Sequence, residues 1–177
     1  MRSETTPAKI EAFLKALGQR VRGNGKIYLT GGASALLIGW RQMTIDIDLK
    51  ADPEPQNFFE AIAELKNELD INVELASPDQ FIPELPGWRD RSVFILREKQ
   101  IDFYHYDFYS QALSKLERAH TRDQKDVFEM EKKGLIEKGK LWIFFQDIES
   151  KLIRYPAIDR NDFRGKVQSF CGGEKWG

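Results

Sequence analysis

The clearest pattern in the chain is a strict alternation of apolar and polar residues over Met43–Lys50, and such a period of two predicts a β-strand with one buried face. Upstream, Ile27–Leu29 is a short β-type run, the pair Gly31-Gly32 predicts a tight turn, and residues 33–40 favour a helix. A strand, a turn and a helix are therefore expected to precede the alternating strand. Its apolar face would carry Met43, Ile45, Ile47 and Leu49, and its polar face Thr44, Asp46, Asp48 and Lys50.

The remaining periodicities predict further helices and strands on both sides of this segment. Helical spacing of apolar residues predicts a helix over residues 7–20 and another that opens at Asp52-Pro53. Residues 71–75 are expected to form a strand, residues 77–91 a loop, and residues 92–106 a hairpin. The second helix would turn Phe58, Phe59, Ile62, Ala63 and Leu65 toward the core.

After residue 107 the pattern becomes helical throughout. The prediction is an α/β (α+β) fold with a mixed sheet, flanking helices and a C-terminal helical portion. We expect the α/β core to span residues 1–107, and the helical portion, residues 108–177, to pack on that core.

Composition narrows the class of protein. The chain has 177 residues, the length of one domain with a helical annex, and 41% of them are hydrophobic, which is enough for a core. One cysteine, Cys171, and two histidines exclude a disulfide framework and an ordinary structural zinc site. The absence of a long apolar stretch and of a signal-like N-terminus predicts a cytoplasmic protein with no membrane partner. The net charge of -1 shows no overall excess of basic residues, so a polyanion such as a nucleic acid would have to bind to a local cluster of basic residues.

Two carboxylates on the polar face of the alternating strand are the first candidate for chemistry. Asp46 and Asp48 stand at i and i+2 of one strand, about 6.5 to 7 Å apart at the backbone, so both can reach one ion. Mg²⁺ prefers a few carboxylate oxygens together with substrate phosphates. The glycine turn before the helix would let a phosphate approach Gly31, Gly32 and the helix N-terminus, where Ser34 could add a hydroxyl group.

A third carboxylate would complete a site for two metal ions. Asp102 lies between Ile101 and Phe103 in a predicted strand, so neighbouring strands could bring it beside Asp46 and Asp48. Three such carboxylates repel one another unless cations neutralise them, which is why the cluster would make sense mainly as a metal site. This proximity is a hypothesis.

These segments resemble a known superfamily. Gly31–Ser34 followed by Arg41–Asp48 is similar to the signature of the nucleotidyltransferases related to DNA polymerase beta, with thirteen residues between the second glycine and the first aspartate. The similarity is closest to the abortive-infection type nucleotidyltransferases of bacteria, which include toxins of toxin–antitoxin pairs. It extends to Ser114–Arg118, Thr121–Asp123 and Asp126.

The resemblance implies where a nucleotide and its metal would lie. It implies a metal at Asp46 and Asp48, with nucleotide phosphates over the turn Gly31–Ser34. It also implies that Lys115 and Asp126, from the helical portion, close over the nucleotide, Lys115 as a charge on phosphate and Asp126 as its orienting partner or a ribose contact.

Some assignments stay open within the resemblance. Asp107 competes with Asp102 for the third carboxylate, whose expected role is to help activate the incoming hydroxyl group. Arg41 and Thr44 lie beside the carboxylates in sequence, and either support of those carboxylates or contact with the nucleotide fits this position.

The reaction that the resemblance implies is transfer of a nucleoside monophosphate from a nucleoside triphosphate, with Mg²⁺ or Mn²⁺ as the cofactor. The acceptor is left open among tRNA or another RNA, a protein and a small molecule. The same resemblance suggests a toxin with a cognate antitoxin. The alternative is a catalytically silent relative of the same fold that binds a nucleotide or a partner protein.

Overall fold

A five-stranded mixed sheet forms the centre of the N-terminal part of the molecule. The computed structural model describes residues 4–172. The strands are β1 (Gly25–Thr30), β2 (Asp46–Ala51), β3 (Asn72–Leu75), β4 (Val93–Glu98) and β5 (Ile101–His105), in the spatial order β3-β2-β1-β5-β4. Two neighbouring pairs, β1 with β2 and β4 with β5, are antiparallel, whereas β1 with β5 and β2 with β3 are parallel. The predicted mixed sheet with flanking helices is confirmed.

The chain divides into two compact units. The first, here called the sheet unit, comprises the chain up to Ser77 together with Ser92–Tyr106. The second, the helical unit, comprises Pro78–Arg91 and the chain from Asp107 onward. The sequence pattern predicts a loop over residues 77–91 within the α/β core, but in the structure residues 78–91 group with the C-terminal helices. They contain a 3₁₀ helix and one short α-helix.

Three helices belong to the sheet unit: α1 (Pro7–Arg20), α2 (Gly31–Ile38) and α3 (Phe58–Glu68). The first begins as predicted, because the Thr6 hydroxyl group accepts a hydrogen bond from the Lys9 amide at 3.3 Å and Pro7 occupies the first turn. All three helices contribute to one core with the face of the sheet that carries Leu29 and Leu49. The expectation for α3 is wrong in two positions, since Phe59 and Ala63 are exposed.

The alternating strand is shorter than its sequence pattern. It begins at Asp46, and Ile47 and Leu49 are fully buried, whereas Met43 and Ile45 are exposed. The backbone of Thr44, just before the strand, is hydrogen-bonded to that of Thr5 in an isolated bridge. The apolar residues at 43 and 45 therefore do not extend the buried face.

The helical unit has a core of its own. Trp142 stacks on Phe145 with ring centroids 5.5 Å apart, and Phe145 meets Phe163 edge-on at 5.0 Å. None of the helices within residues 4–172 has the length and apolarity needed to cross a membrane. The α-helices of this unit are α4 (Trp88–Arg91), α5 (Phe108–Arg118), α6 (Thr121–Lys132), α7 (Lys138–Glu149) and α8 (Arg160–Phe170), and Pro78–Gln80 and Ser150–Arg154 are 3₁₀ helices.

Candidate active site

The two aspartates of β2 share one face of the sheet. Asp46 and Asp48 are half-buried, whereas the alternate residues Ile47 and Leu49 are buried in the core on the opposite face. This is the arrangement that the alternation predicts, because successive side chains of a strand point to opposite faces. The polar face of the strand is therefore the one on which a cation could be held.

The glycine turn lies against Asp48. Thr30, the last residue of β1, is paired with Asp48 in the antiparallel ladder, and α2 starts at the next residue, Gly31. Gly31 has a φ of 61°, a left-handed conformation that favours glycine. A Cβ atom at Gly31 would lie 3.1 Å from Oδ2 of Asp48. One carboxylate of the pair thus approaches the N-terminal turn of α2, where the helix dipole favours anionic groups.

The second glycine makes room for neighbouring side chains. A Cβ atom at Gly32 would lie 2.8 Å from Cβ of Thr44 and 3.2 Å from Nη1 of Arg41. The Thr44 hydroxyl group donates a hydrogen bond of 3.2 Å to the backbone carbonyl of Asp46. Thr44 and Arg41 therefore lie over the first turn of α2, beside the start of β2. The predicted proximity of these two residues to the carboxylates and the turn is present in the structure.

Ser34 points away from this face. It is fully buried, its hydroxyl group donates to the carbonyl of Leu29 at 3.1 Å, and its Oγ lies 2.9 Å from Nδ1 of His105. Burial lowers the pKa of His105 to about 4, so the imidazole is neutral at pH 7. Because the Ser34 hydroxyl group donates its proton in the hydrogen bond to Leu29, its oxygen is the acceptor toward His105. The imidazole proton is therefore on Nδ1, which donates a hydrogen bond to Ser34 Oγ. The expectation that Ser34 contacts a phosphate is wrong, because its side chain is enclosed in the protein.

Strand β3 adds two polar residues that the sequence analysis missed. In the parallel ladder Asn72 pairs with Asp46, and Glu74 pairs with Asp48. The Asn72 amide donates a short hydrogen bond to Oδ1 of Asp46, which fixes the orientation of that carboxylate. The signal was present in the sequence, because Asn72-Val73-Glu74 repeats the polar, apolar, polar pattern of β2. Strand pairing, however, cannot be read from that pattern alone.

Asp102 is not near the two aspartates, and the predicted cluster of three carboxylates is wrong in this respect. It pairs with Lys26 of β1, whereas Asp48 pairs with Thr30, four residues further along the same strand. At about 3.3 Å per residue, these positions are about 13 Å apart along β1. Both carboxylate oxygens of Asp102 accept from Arg97 at 3.1 Å. Asp102 therefore forms an ion pair with Arg97 and does not supply a third carboxylate beside Asp46 and Asp48.

Asp107, the other candidate for a third carboxylate, caps a helix. It is buried at the N-terminus of α5, where its two oxygens accept hydrogen bonds from the amides of Tyr109 and Ser110. The guanidinium group of Arg91 pairs with the same carboxylate at 2.9 and 3.1 Å. These contacts are typical of an N-cap whose charge is neutralised.

The residues predicted to close over the nucleotide form a buried charge network in the helical unit. Nζ of Lys115 on α5 lies 2.8 Å from a carboxylate oxygen of Asp126 and 3.7 Å from one of Asp123, both on α6. Arg118 pairs with Asp123 through two hydrogen bonds of 2.7 and 2.8 Å. Burial by itself would raise the pKa of Asp123, but the hydrogen bonds and charge of Arg118, with Lys115, outweigh it and leave that pKa lowered. The network ties α5 to α6.

The donor set on β2 suits a magnesium ion bound with a nucleotide. Within residues 4–172, no three side chains of His, Cys, Asp or Glu gather closely enough to bind a metal. Two carboxylates do share a face, and Mg²⁺ is commonly bound by one or two carboxylates while substrate phosphates and water complete its octahedral shell. Asp46 and Asp48 therefore fit a cation that arrives with its phosphates, and they do not form an all-protein cage.

Comparison with known proteins identifies the family of the chain. A family described as nucleotidyltransferases of unknown function (DUF6036) matches residues 8–169, nearly the whole chain. No curated protein matches the chain, and no solved structure does. Because the match spans both the sheet unit and the helical unit, the chain belongs to this family of nucleotidyltransferases.

Proposed function

We propose that the polar face of β2 and the glycine turn bind a nucleoside triphosphate with a divalent cation, Mg²⁺ or Mn²⁺, and that the protein transfers the nucleoside monophosphate to an acceptor. The observation that carries this proposal is the approach of Asp48 to Gly31, 3.1 Å from the Cβ position. This approach places the Asp48 carboxylate, which would bind the cation, next to the N-terminus of α2, which would bind the phosphates. Asp46 lies on the same face of β2, two residues away.

Each part of this site has a separate task. Asp46 and Asp48 would hold the cation, which neutralises phosphate charge when it is bound. The backbone N–H groups at the start of α2 would donate hydrogen bonds to phosphate oxygens, which can approach because Gly31 and Gly32 have no side chain to fill that space. Arg41, whose guanidinium group lies beside Gly32, would donate to phosphate, and Asn72 would keep Asp46 oriented toward the cation.

The chemistry needs positioning more than a reactive side chain. The oxygen of an acceptor hydroxyl group forms a bond to the α-phosphorus, the bond from that phosphorus to the bridging oxygen breaks, and pyrophosphate leaves. The proton of the acceptor passes to water. Fixed donors and carboxylates accelerate such a displacement by alignment and by stabilising the charge of the transition state.

The roles of Lys115 and Asp126 in nucleotide binding remain part of this proposal and rest on the family resemblance. Both are buried and paired with each other, so their contribution to folding has to be separated from any contribution to binding. The double variant Lys115→Met, Asp126→Asn removes both charges of the pair together, and comparing its KM for the nucleotide with that of wild type tests the binding role. An unchanged KM in the folded double variant would assign both residues to the fold alone.

The acceptor and the biological role are proposed only by class. An RNA such as tRNA, a protein or a small molecule can supply the attacking hydroxyl group, and action as a toxin with a cognate antitoxin is the role that the resemblance favours.

Incubation with labelled nucleoside triphosphates tests the activity directly. The wild-type protein, cellular RNA or protein and Mg²⁺ should yield a labelled product and pyrophosphate, whereas Asp46→Ala and Asp48→Ala should yield at least a hundredfold less. Asp102→Asn is the matched control, because it removes a carboxylate from the same sheet about 13 Å along β1. If the wild type releases no pyrophosphate with any nucleotide or acceptor class, the protein is the silent relative that binds without transfer.

A further inference from the structure

Three aromatic side chains form a row across neighbouring strands of the sheet unit. Tyr28 of β1 pairs with Tyr104 of β5, and Tyr104 pairs with Phe94 of β4. The rings of Tyr28 and Tyr104 are stacked with their centroids 5.3 Å apart, and Phe94 meets Tyr104 edge-on at 5.7 Å. The ring contacts therefore run from the central strand of the sheet to its edge strand, and we refer to these three residues as the aromatic row.

The aromatic row lies on the face of the sheet that carries the two aspartates. The residues on either side of Tyr28 in β1 and of Asp48 in β2 all belong to one buried core: Ile27, Leu29, Ile47 and Leu49. Because successive side chains of a strand point to opposite faces, Tyr28 and Asp48 share the other face of the sheet. The row is thus on the polar face, beside the candidate active site.

Exposure separates Phe94 from the other two rings of the row. Tyr28 is 2% exposed and Tyr104 is half-buried, whereas Phe94 is 56% exposed. Tyr28 packs against both Tyr104 and Tyr106, whose ring meets it edge-on at 6.0 Å. Packing within the sheet unit thus accounts for Tyr28 and Tyr104. The ring of Phe94 is open to solvent, and an exposed ring that continues a stack is the kind of platform on which unpaired bases stack.

The aromatic row and the glycine turn lie on opposite sides of Asp48 along the strands. Asp48 pairs with Thr30, Gly31 follows Thr30 directly, and Tyr28 precedes it by two residues. A triphosphate bound over the glycine turn would therefore lie on one side of Asp48, with the aromatic row on the other. In phosphoryl transfer the attacking and leaving oxygens are roughly in line. An acceptor opposite the leaving pyrophosphate would accordingly approach over the aromatic row.

The length of this path favours an acceptor longer than one nucleoside. The backbone of Phe94 lies three strands across and two residues along from that of Asp48, which is about 16 Å at about 4.8 Å between strands and about 3.3 Å per residue. One sugar with its base is shorter than this distance, whereas a few nucleotides of a strand span it. Lys50 pairs with Tyr28 at the end of the row nearest Asp48, and its ammonium group suits a phosphodiester there.

We propose that the aromatic row is the acceptor subsite and that the acceptor is a single-stranded RNA, with its terminal hydroxyl group at Asp48, a phosphodiester at Lys50 and an upstream base stacked on Phe94. This inference rests on the proposed function and names its acceptor class. The terminal hydroxyl oxygen bonds to the α-phosphorus, pyrophosphate leaves and the proton passes to water. A protein acceptor would need only a hydroxyl group at Asp48, whereas a strand of RNA uses the charge of Lys50 and the ring of Phe94 together.

RNA binding tests the inference separately from the transfer reaction. A short, fluorescently labelled single-stranded RNA of mixed sequence is titrated with the protein in the presence of Mn²⁺ and a non-hydrolysable nucleoside triphosphate, and binding is followed by fluorescence anisotropy. Phe94→Ala should weaken binding at least fivefold, the loss expected for one stacked base. Lys50→Met should weaken binding and make it less dependent on salt concentration, because one phosphate contact is lost.

Phe59→Ala is the matched control. Phe59 is 55% exposed and meets Phe58 edge-on at 5.4 Å, much as Phe94 meets Tyr104, but it lies on α3, which packs on the opposite face of the sheet. The control should bind RNA as the wild type does, and thermal melting should show that all variants are folded. In the labelling assay, Phe94→Ala should raise KM for the RNA and leave KM for the nucleotide unchanged.

The outcomes separate this inference from the proposed function. The inference is overturned if the wild type binds no RNA, if Phe94→Ala binds RNA as the wild type does, or if Phe59→Ala loses as much affinity. Labelling of a protein or a small molecule without labelling of RNA would also overturn it and would leave the proposed function standing. Failure of the wild type to bind Mn²⁺ with the nucleotide would instead overturn the proposed function and, with it, the assignment of an acceptor to the aromatic row.

Discussion

Removing the charge of Lys115 should destabilise the protein far more than removing the charge of a surface lysine. Lys115 and Asp126 have side chains that are 8% and 2% exposed, and their charged atoms are 2.8 Å apart. At an effective dielectric constant of about 20, such a pair attracts by about 6 kcal/mol before the cost of desolvation is subtracted. Lys115→Met keeps the aliphatic volume but leaves the carboxylate of Asp126 buried without its cation. We expect the free energy of unfolding to fall by roughly 3–5 kcal/mol.

Urea denaturation measures this loss, and the chain offers a matched control. Lys140 pairs with Glu137 at a similar distance, 3.2 Å, but these side chains are 63% and 66% exposed. Lys140→Met should therefore change the free energy of unfolding by no more than about 1 kcal/mol. The double variant Lys115→Met, Asp126→Asn should recover part of the stability, because it no longer buries a lone charge. The reasoning is refuted if Lys115→Met is no less stable than Lys140→Met, or if the double variant recovers nothing.

Two further predictions concern the sheet unit. Burial lowers the pKa of His105 to about 4, so on acidification this histidine takes up a proton in the unfolded chain before it does so in the folded protein. The free energy of unfolding should therefore fall by roughly 3 kcal/mol between pH 6.5 and pH 4. Urea titrations at several pH values should show a smaller fall for His105→Gln. Equal falls in the two proteins would contradict the assignment. A Cβ atom at Gly32 would lie 2.8 Å from Cβ of Thr44, so Gly32→Ala should lower the free energy of unfolding by roughly 1–3 kcal/mol, and adding Thr44→Ala should restore part of it. Gly165 lies in α8, and a Cβ atom there would meet no atom within 4 Å apart from its chain neighbours and the backbone of its own helix. Gly165→Ala should therefore leave the melting temperature unchanged or raise it, and a loss as large as that of Gly32→Ala would argue against the steric explanation.

The face of β2 could be predicted from sequence because it depends on a local property. Alternation of polar and apolar residues decides which side chains share a face, and the structure confirms this for Asp46 and Asp48. The strand itself begins three residues later than the pattern, because the pattern does not show that Thr44 is tied to Thr5. Local periodicity thus predicts orientation better than it predicts length.

Relations between distant segments could not be predicted in the same way. A carboxylate on a neighbouring strand is close to Asp48 only if the register of the strands brings it there, and register depends on the whole sheet. In the observed register Asp102 pairs with Lys26, far from Asp48, whereas Asn72 pairs with Asp46 and hydrogen-bonds to it. Ser34 was misassigned for a related reason, since the side of α2 that it occupies depends on how that helix packs.

Manganese binding tests the central claim most directly, because Mn²⁺ can replace Mg²⁺ and its paramagnetic resonance separates free from bound ion. The titration should be made with a non-hydrolysable nucleoside triphosphate, for the wild type, Asp46→Asn, Asp48→Asn and Asp102→Asn. We expect the ternary complex to form with the wild type and with Asp102→Asn, and each substitution on β2 to weaken it at least tenfold. Equal binding by the wild type and by both β2 variants would show that the cation and its nucleotide are held elsewhere.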